Sequence, residues 1–181
     1  MLKDELLAQL ENHEVSYRVG LSSLPLLNEI TYQDKDGLEI QRILSNKKGR
    51  NGDLVIDYSI IVEYFTDKVQ AKGISEEYLK FLNRTFLAEC YELVFLYAKK
   101  TNQLPIVKGE DVFTFIRIIR NAISHDFTIN CSKSNYECTW RSFGFDMSMN
   151  GLPLEGKHYG YIEGSFQLWE DMHNLVRNKL V

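Results

Sequence analysis

A chain of 181 residues that is 44% hydrophobic and 12% aromatic has length for one compact domain with a proper core and a modest appendage. It excludes a disordered protein, whose low hydrophobicity could not offset the entropy of ordering. The net charge of −4 excludes a surface coated in positive charge for indiscriminate nucleic-acid binding. The distribution is uneven: residues 99–125 hold five basic and two acidic side chains, whereas residues 1–98 hold 11 and 16. A local patch of this kind can attract phosphate on an acidic protein, although a solvated face explains it too. The start, MLKDELLAQLENHE, is charged within five residues and holds no apolar run for a secretion signal or membrane span, so a cytoplasmic protein is expected. Cys90, Cys131 and Cys138 make an odd count without CxxC spacing, which predicts reduced, partly buried thiols rather than a disulfide framework or zinc knuckle.

In chain order, Leu2, Leu6, Leu7 and Leu10 make a short amphipathic start, followed by mixed sequence around Pro25 and Asp36-Gly37. The first 50 residues are therefore an extension of unassigned structure. The run from Asn46 to Gly52 is dense in turn formers and reads as a surface loop; its basic residues suit RNA contact, and a solvated connector is the ordinary alternative. Leu54, Ile56, Tyr58, Ile61, Val62, Phe65 and Val69 fit a helix from Asp53 to about Lys72 with Gly73 as its stop. Ser75 followed by Glu76 and Glu77 then resembles an N-cap, opening a long helix that ends near Lys100 and carries Leu79, Leu82, Phe86, Cys90, Leu93 and Tyr97. Glu89 and Glu92 on that helix could be catalytic carboxylates, but the ordinary reading places them on its wet face.

After Pro105 and Gly109, Glu110 and Asp111 sit where a helix dipole favours acids. A third helix follows. Val112, Phe115, Ile116, Ile119, Ala122 and Ile123 form one face, and Arg117, Arg120, Asn121 and Ser124 the opposite one. Beyond His125 the period becomes two, in Tyr136, Cys138 and Trp140 and again in Phe143, Phe145, Met147 and Met149, predicting a small antiparallel element over about 136–154. The slip between Trp140 and Phe143 is a bulge or a turn, and Asn150-Gly151 is a hairpin signal weakened by Pro153. A final amphipathic helix is expected from about Ser165 to Leu180.

The chemistry is concentrated in the segment from Arg117 to His125. Arginine offers a planar fork that matches phosphate oxygens, and histidine moves protons near neutral pH. On an ideal helix Asn121 and His125 share a face, whereas Arg120 and His125 are about 140° apart, so the length of the arginine or fraying of the last turn must close the gap. Arg120-Asn121-Ala122-Ile123-Ser124-His125 resembles the R-x4-6-H motif of the HEPN superfamily, including the polar residue after the arginine. The architecture from about Asp53 onward resembles it as well, while the specific content is those six residues.

The resemblance implies a mainly α fold: a helical bundle with a small antiparallel β element between its last two helices. It implies a metal-independent endoribonuclease acting as a homodimer, with no cofactor, in which His125 assists proton transfer as the ribose 2′-OH attacks the phosphate. A 2′,3′-cyclic phosphate would result. Arg120 would stabilise charge on the phosphoryl oxygens and Asn121 would orient His125 or the phosphate. Ser124 and Arg117 are added as neighbouring substrate contacts. By analogy the role would be that of a toxin or antiviral effector with an antitoxin or inhibitor protein as partner. The competing readings are a non-catalytic HEPN-type module that binds RNA, a nucleotide or a protein, and a purely structural dimerisation protein. His125 could simply cap its helix and Arg120 could pair with a carboxylate. His13, His158 and His173 lack metal-ligand spacing and are read as surface or structural residues, so no metal site is expected. P-loop, G-x-G-x-x-G, G-x-S-x-G and HExxH signatures are absent.

Overall fold

A computed structural model describes residues 1–33, 68–131 and 137–181, and over them the chain is mainly helical with one two-stranded sheet. The expected loop at 46–52, the helix expected from Asp53 as far as residue 67, and Tyr136 lie outside the described residues. The chain divides into two compact units, one of residues 1–18 with 80–181 and one of residues 19–79. Arg117, Arg120, Asn121, Ser124 and His125 belong to the first. No helix among the described residues is long and apolar enough to cross a membrane.

Helix α1 spans Lys3–Gln33 and opens with Asp4 and Glu5, acids that favour the positive end of a helix. The amphipathic start therefore extends much further than its leucines indicate, running through Pro25. Proline lacks the N–H for an i→i−4 bond, so local propensity argues against this continuation. In the first unit α1 buries Leu6, Leu10 and Tyr17. Helix α2 spans Lys68–Lys100 and does not stop at Gly73 or restart at Ser75. That is a correction with two causes: a helical glycine costs only about 1 kcal/mol, and the Ser75 hydroxyl is buried without a hydrogen bond, so it caps nothing. Further along, Phe86, Leu87, Cys90, Val94, Tyr97 and Ala98 are buried at helical spacing.

A short helix α3 over Leu104–Lys108 leads into α4, Asp111–Ser124. Helix α4 is more central than an amphipathic surface helix: of the expected apolar face only Val112 stays partly exposed, and Phe113 and Ile118 are buried as well, leaving the arc of Arg117, Arg120, Asn121 and Ser124 partly or fully exposed. Phe113 stacks on Tyr91 of α2 at 4.9 Å, while Phe115 meets Trp140 at 5.0 Å and Phe145 at 4.9 Å. Those two aromatics belong to strands β1, Cys138–Trp140, and β2, Phe143–Phe145, which pair antiparallel with Trp140 opposite Phe143. The slip is thus a two-residue turn. Arg141 takes a positive φ of 53° there, and its guanidinium is held by Asp171 at 3.0 and 3.1 Å, with Trp140 Nε1 donating to the same carboxylate at 2.8 Å. The expected alternation through Met149 stops at Phe145, because Asp146 accepts from Ser148 N at 2.7 Å and caps a 3-10 turn over Met147–Met149.

Helix α5 spans Tyr161–Lys179, starting earlier than Ser165. Gly160 at φ +78° turns the chain into it, and a Cβ on Gly164 would stand 1.4 Å from the Tyr159 carbonyl oxygen, so only glycine fits that first turn. Lys3 Nζ donates to the carbonyls of Arg177 and Leu180 at 2.9 and 2.6 Å, satisfying orphan acceptors at the other end. Cys90, Cys131 and Cys138 are free thiols, and burial pushes Cys138 up to about 12. His173 is buried against Trp169 and His158 accepts from Glu155 N at 2.9 Å, both structural positions.

Candidate functional site

From the polar arc of α4, Arg120 reaches α2. Arg120 donates through Nη2 to Glu92 Oε1 and through Nη1 to Asn121 Oδ1 at 3.2 Å, and its guanidinium carbon lies 5.7 Å from the centre of the Tyr91 ring. Consecutive α2 residues therefore hold one cation from its face and its edge. The Arg120 and Glu92 side chains are 34% and 36% exposed, so the pair meets solvent and its strength is cut by screening. Arg120 Nε is buried without a hydrogen bond, leaving one donor of the fork unspent.

Asn121 is half-buried and its carbonyl oxygen is committed to Arg120 rather than to His125. Ser124 is exposed, and its hydroxyl donates back to the Arg120 carbonyl at 2.9 Å, the usual resting bond of a serine within a helix. Its lone pairs stay accessible. Arg117, one turn earlier, is half-buried on the side where its charge reaches the Cys138 thiol, opposing the upward push of burial there. It stands with the hairpin as much as with Arg120.

His125 is exposed at the C-cap of α4, with φ −122° and ψ 61°. Its backbone N donates to Ala122 O and its carbonyl accepts from Thr128 N, both at 3.0 Å, so the main chain is fixed while the imidazole makes no hydrogen bond among the described residues. Thr128 N closes a turn built from Asp126 and Phe127, both in the left-handed region at φ 52° and 55°. Two such residues in succession, neither a glycine, cost on the order of 1–3 kcal/mol each. The conformation is held from outside: Leu154 N donates to Phe127 O at 2.6 Å, and Ile129 exchanges bonds with Leu152 O and Gly151 N at 2.8 Å each. Asn150-Gly151 thus shapes a segment that ties down the exit of α4 instead of a hairpin of its own.

Two further residues approach this exit from α2. Arg84 lies 5.5 Å and Lys80 6.0 Å from the Phe127 ring centre. Glu92 was visible in the sequence as a carboxylate on the wet face of its helix, and only the packing of α2 on α4 turns it onto Arg120. Arg84, Lys80, Tyr91 and Phe127 carry no motif; a bulky aromatic two residues past the histidine was the available signal. A groove of about 670 Å³ beside the hairpin, lined among others by Asp111, Glu137, Cys138 and Asp146, includes none of Arg120, Asn121, Ser124 or His125. Its carboxylates would repel phosphate. No family model, curated protein or solved structure matches this chain.

Proposed function

We propose that this protein is a metal-independent endoribonuclease of the HEPN type, acting through Arg120 and His125. The observation that carries the reading is an exposed imidazole on a fixed main chain at the end of the helix that also presents, five residues earlier, a guanidinium still a third exposed. In the reaction His125 accepts the proton of the ribose 2′-OH, the O2′–P bond forms as the P–O5′ bond breaks, and water protonates the 5′-oxygen as it leaves, His125 afterwards returning its proton to solvent. Arg120 stabilises the charge that gathers on the non-bridging oxygens. Asn121 holds the guanidinium from one side, so its role is to position Arg120. Ser124 and Arg117 flank the motif as substrate contacts.

The resemblance further implies a homodimer with motifs facing across a two-fold axis. A second copy would enclose His125, which a single chain leaves open to solvent. A role as toxin or antiviral effector restrained by an antitoxin or inhibitor protein is part of the same proposal. Glu92 supports a second reading. With its carboxylate on Arg120, the guanidinium already has an anionic partner, as expected of a non-catalytic module that binds RNA, a nucleotide or a protein. The two readings part in one experiment: incubation with single-stranded RNA and a structured transfer RNA in EDTA, beside folded His125→Ala and Arg120→Ala variants. Cleavage that survives EDTA, leaves 2′,3′-cyclic phosphate ends and is lost in both variants is the expected result. Binding without cleavage would favour the module.

A further inference from the structure

From the exit of α4 we infer a second element of the site: Phe127 and Arg84, with Lys80 beside them, form a subsite that takes one unstacked nucleotide of single-stranded RNA next to the scissile phosphate. The inference rests on the reading of Arg120 and His125 as an RNA-cleaving pair.

Phe127 sits two residues past His125 in a left-handed conformation that a bulky side chain rarely adopts. Burial of an aromatic in the core would account for such strain, but Phe127 is only half-buried and the charged groups over its ring are Arg84 and Lys80. Backbone bonds on both sides, from Thr128 N to His125 O and from Leu154 N to Phe127 O, fix the main chain of Phe127 relative to that of His125. An aromatic face for a base beside cations for its phosphates is the combination that single-strand binding sites use. A base paired within a duplex could not reach it, because its π-face is covered by its neighbours. Asp126, between His125 and Phe127 in the chain, is exposed and opposes phosphate there, while Arg84, also exposed, offers it a cation.

The test uses the full chain carrying His125→Ala, so that RNA is not consumed, and a labelled 12-nucleotide RNA, single-stranded or in a duplex, followed by fluorescence anisotropy. Adding Phe127→Leu is expected to weaken single-strand binding about 5- to 100-fold, the range found for removing one stacked base. Phe127→Tyr should restore it. Arg84→Gln, at an exposed position that puts folding at little risk, should weaken binding several-fold and flatten its salt dependence by about one phosphate contact. Duplex binding should change little in the Phe127 variants. Unchanged single-strand affinity in both Phe127→Leu and Arg84→Gln, an equal loss for duplex, or no RNA binding by the His125→Ala protein at all would overturn the subsite. Cleavage by the unmodified protein, run alongside, separates the two claims. Cutting with unaffected variants sinks the subsite alone, and variant-sensitive binding without cutting sinks the catalytic reading alone.

Discussion

Two polar clusters bridge helices within the first unit, and they are built differently. Where α1, α2 and α5 meet, Tyr17 OH donates to Asn83 Oδ1 at 2.7 Å, and Ser165 Oγ stands 2.9 Å from that oxygen and 2.8 Å from the Tyr161 carbonyl, sharing one hydrogen between two acceptors. Asn83 and Ser165 are 0% exposed and Tyr17 stacks on Phe86 at 4.3 Å. Where α2 meets α4, the charged side chains of Arg120 and Glu92 remain a third exposed and the His125 imidazole is open. Removing a partner from a dry cluster costs folding free energy, because the orphaned group has no water to turn to. At the wet cluster water replaces a lost partner, so the same operation should alter ligand binding far more than stability. The contrast separates polar residues that hold the fold from those left open to solvent.

The dry side should break hardest at Gly164→Ala, next to Ser165. A Cβ 1.4 Å from the Tyr159 oxygen forces backbone to move, and a loss above about 4 kcal/mol in urea denaturation, or failure to fold, is expected. Asn83→Leu comes next. It strips the acceptor from Tyr17 and leaves Ser165 only the Tyr161 carbonyl, and about 2–4 kcal/mol should be lost in the same assay.

Alkaline titration sharpens the comparison. Burial raises the Tyr17 phenol from 10.0 to about 12. A raised pKa favours the neutral phenol in the folded state, so this stabilisation is complete below pH 10 and is lost as pH rises through about 12. Between pH 8 and 11 the parent should lose about 1 kcal/mol more stability than Tyr17→Phe, in which that group is absent. On the wet side Glu92→Gln should change stability by less than about 1 kcal/mol. Its effect belongs in RNA affinity, expected to rise several-fold as Arg120 is released. Unchanged affinity with a large drop in stability would place Arg120 and Glu92 with the structural cluster.

The legible parts of the chain were those where period and chemistry agree. Helix α4 follows from its apolar period, and its polar arc from the same count. The free thiols follow from cysteine number and spacing. Positions decided by tertiary contact were not legible. Ser75 looks like a cap and makes no bond, and the Arg141 turn is held by an aspartate 30 residues away. The early start of α5 depends on Gly164 admitting a carbonyl. For the site, sequence supplied Arg120, Asn121, Ser124 and His125 as neighbours on a helix. Which face of α2 meets them is decided by tertiary packing, which turns Glu92 onto Arg120 and brings Arg84 to Phe127 without any motif.

Measured on one preparation, the stability and the RNA-cleaving rate of His125→Ala test the central claim most directly. The exposed imidazole predicts unfolding within about 0.5 kcal/mol of the parent, together with a fall in cleavage rate of roughly 10²- to 10⁴-fold. A variant that cuts RNA at the parent's rate, or one that loses activity only by unfolding, would contradict it.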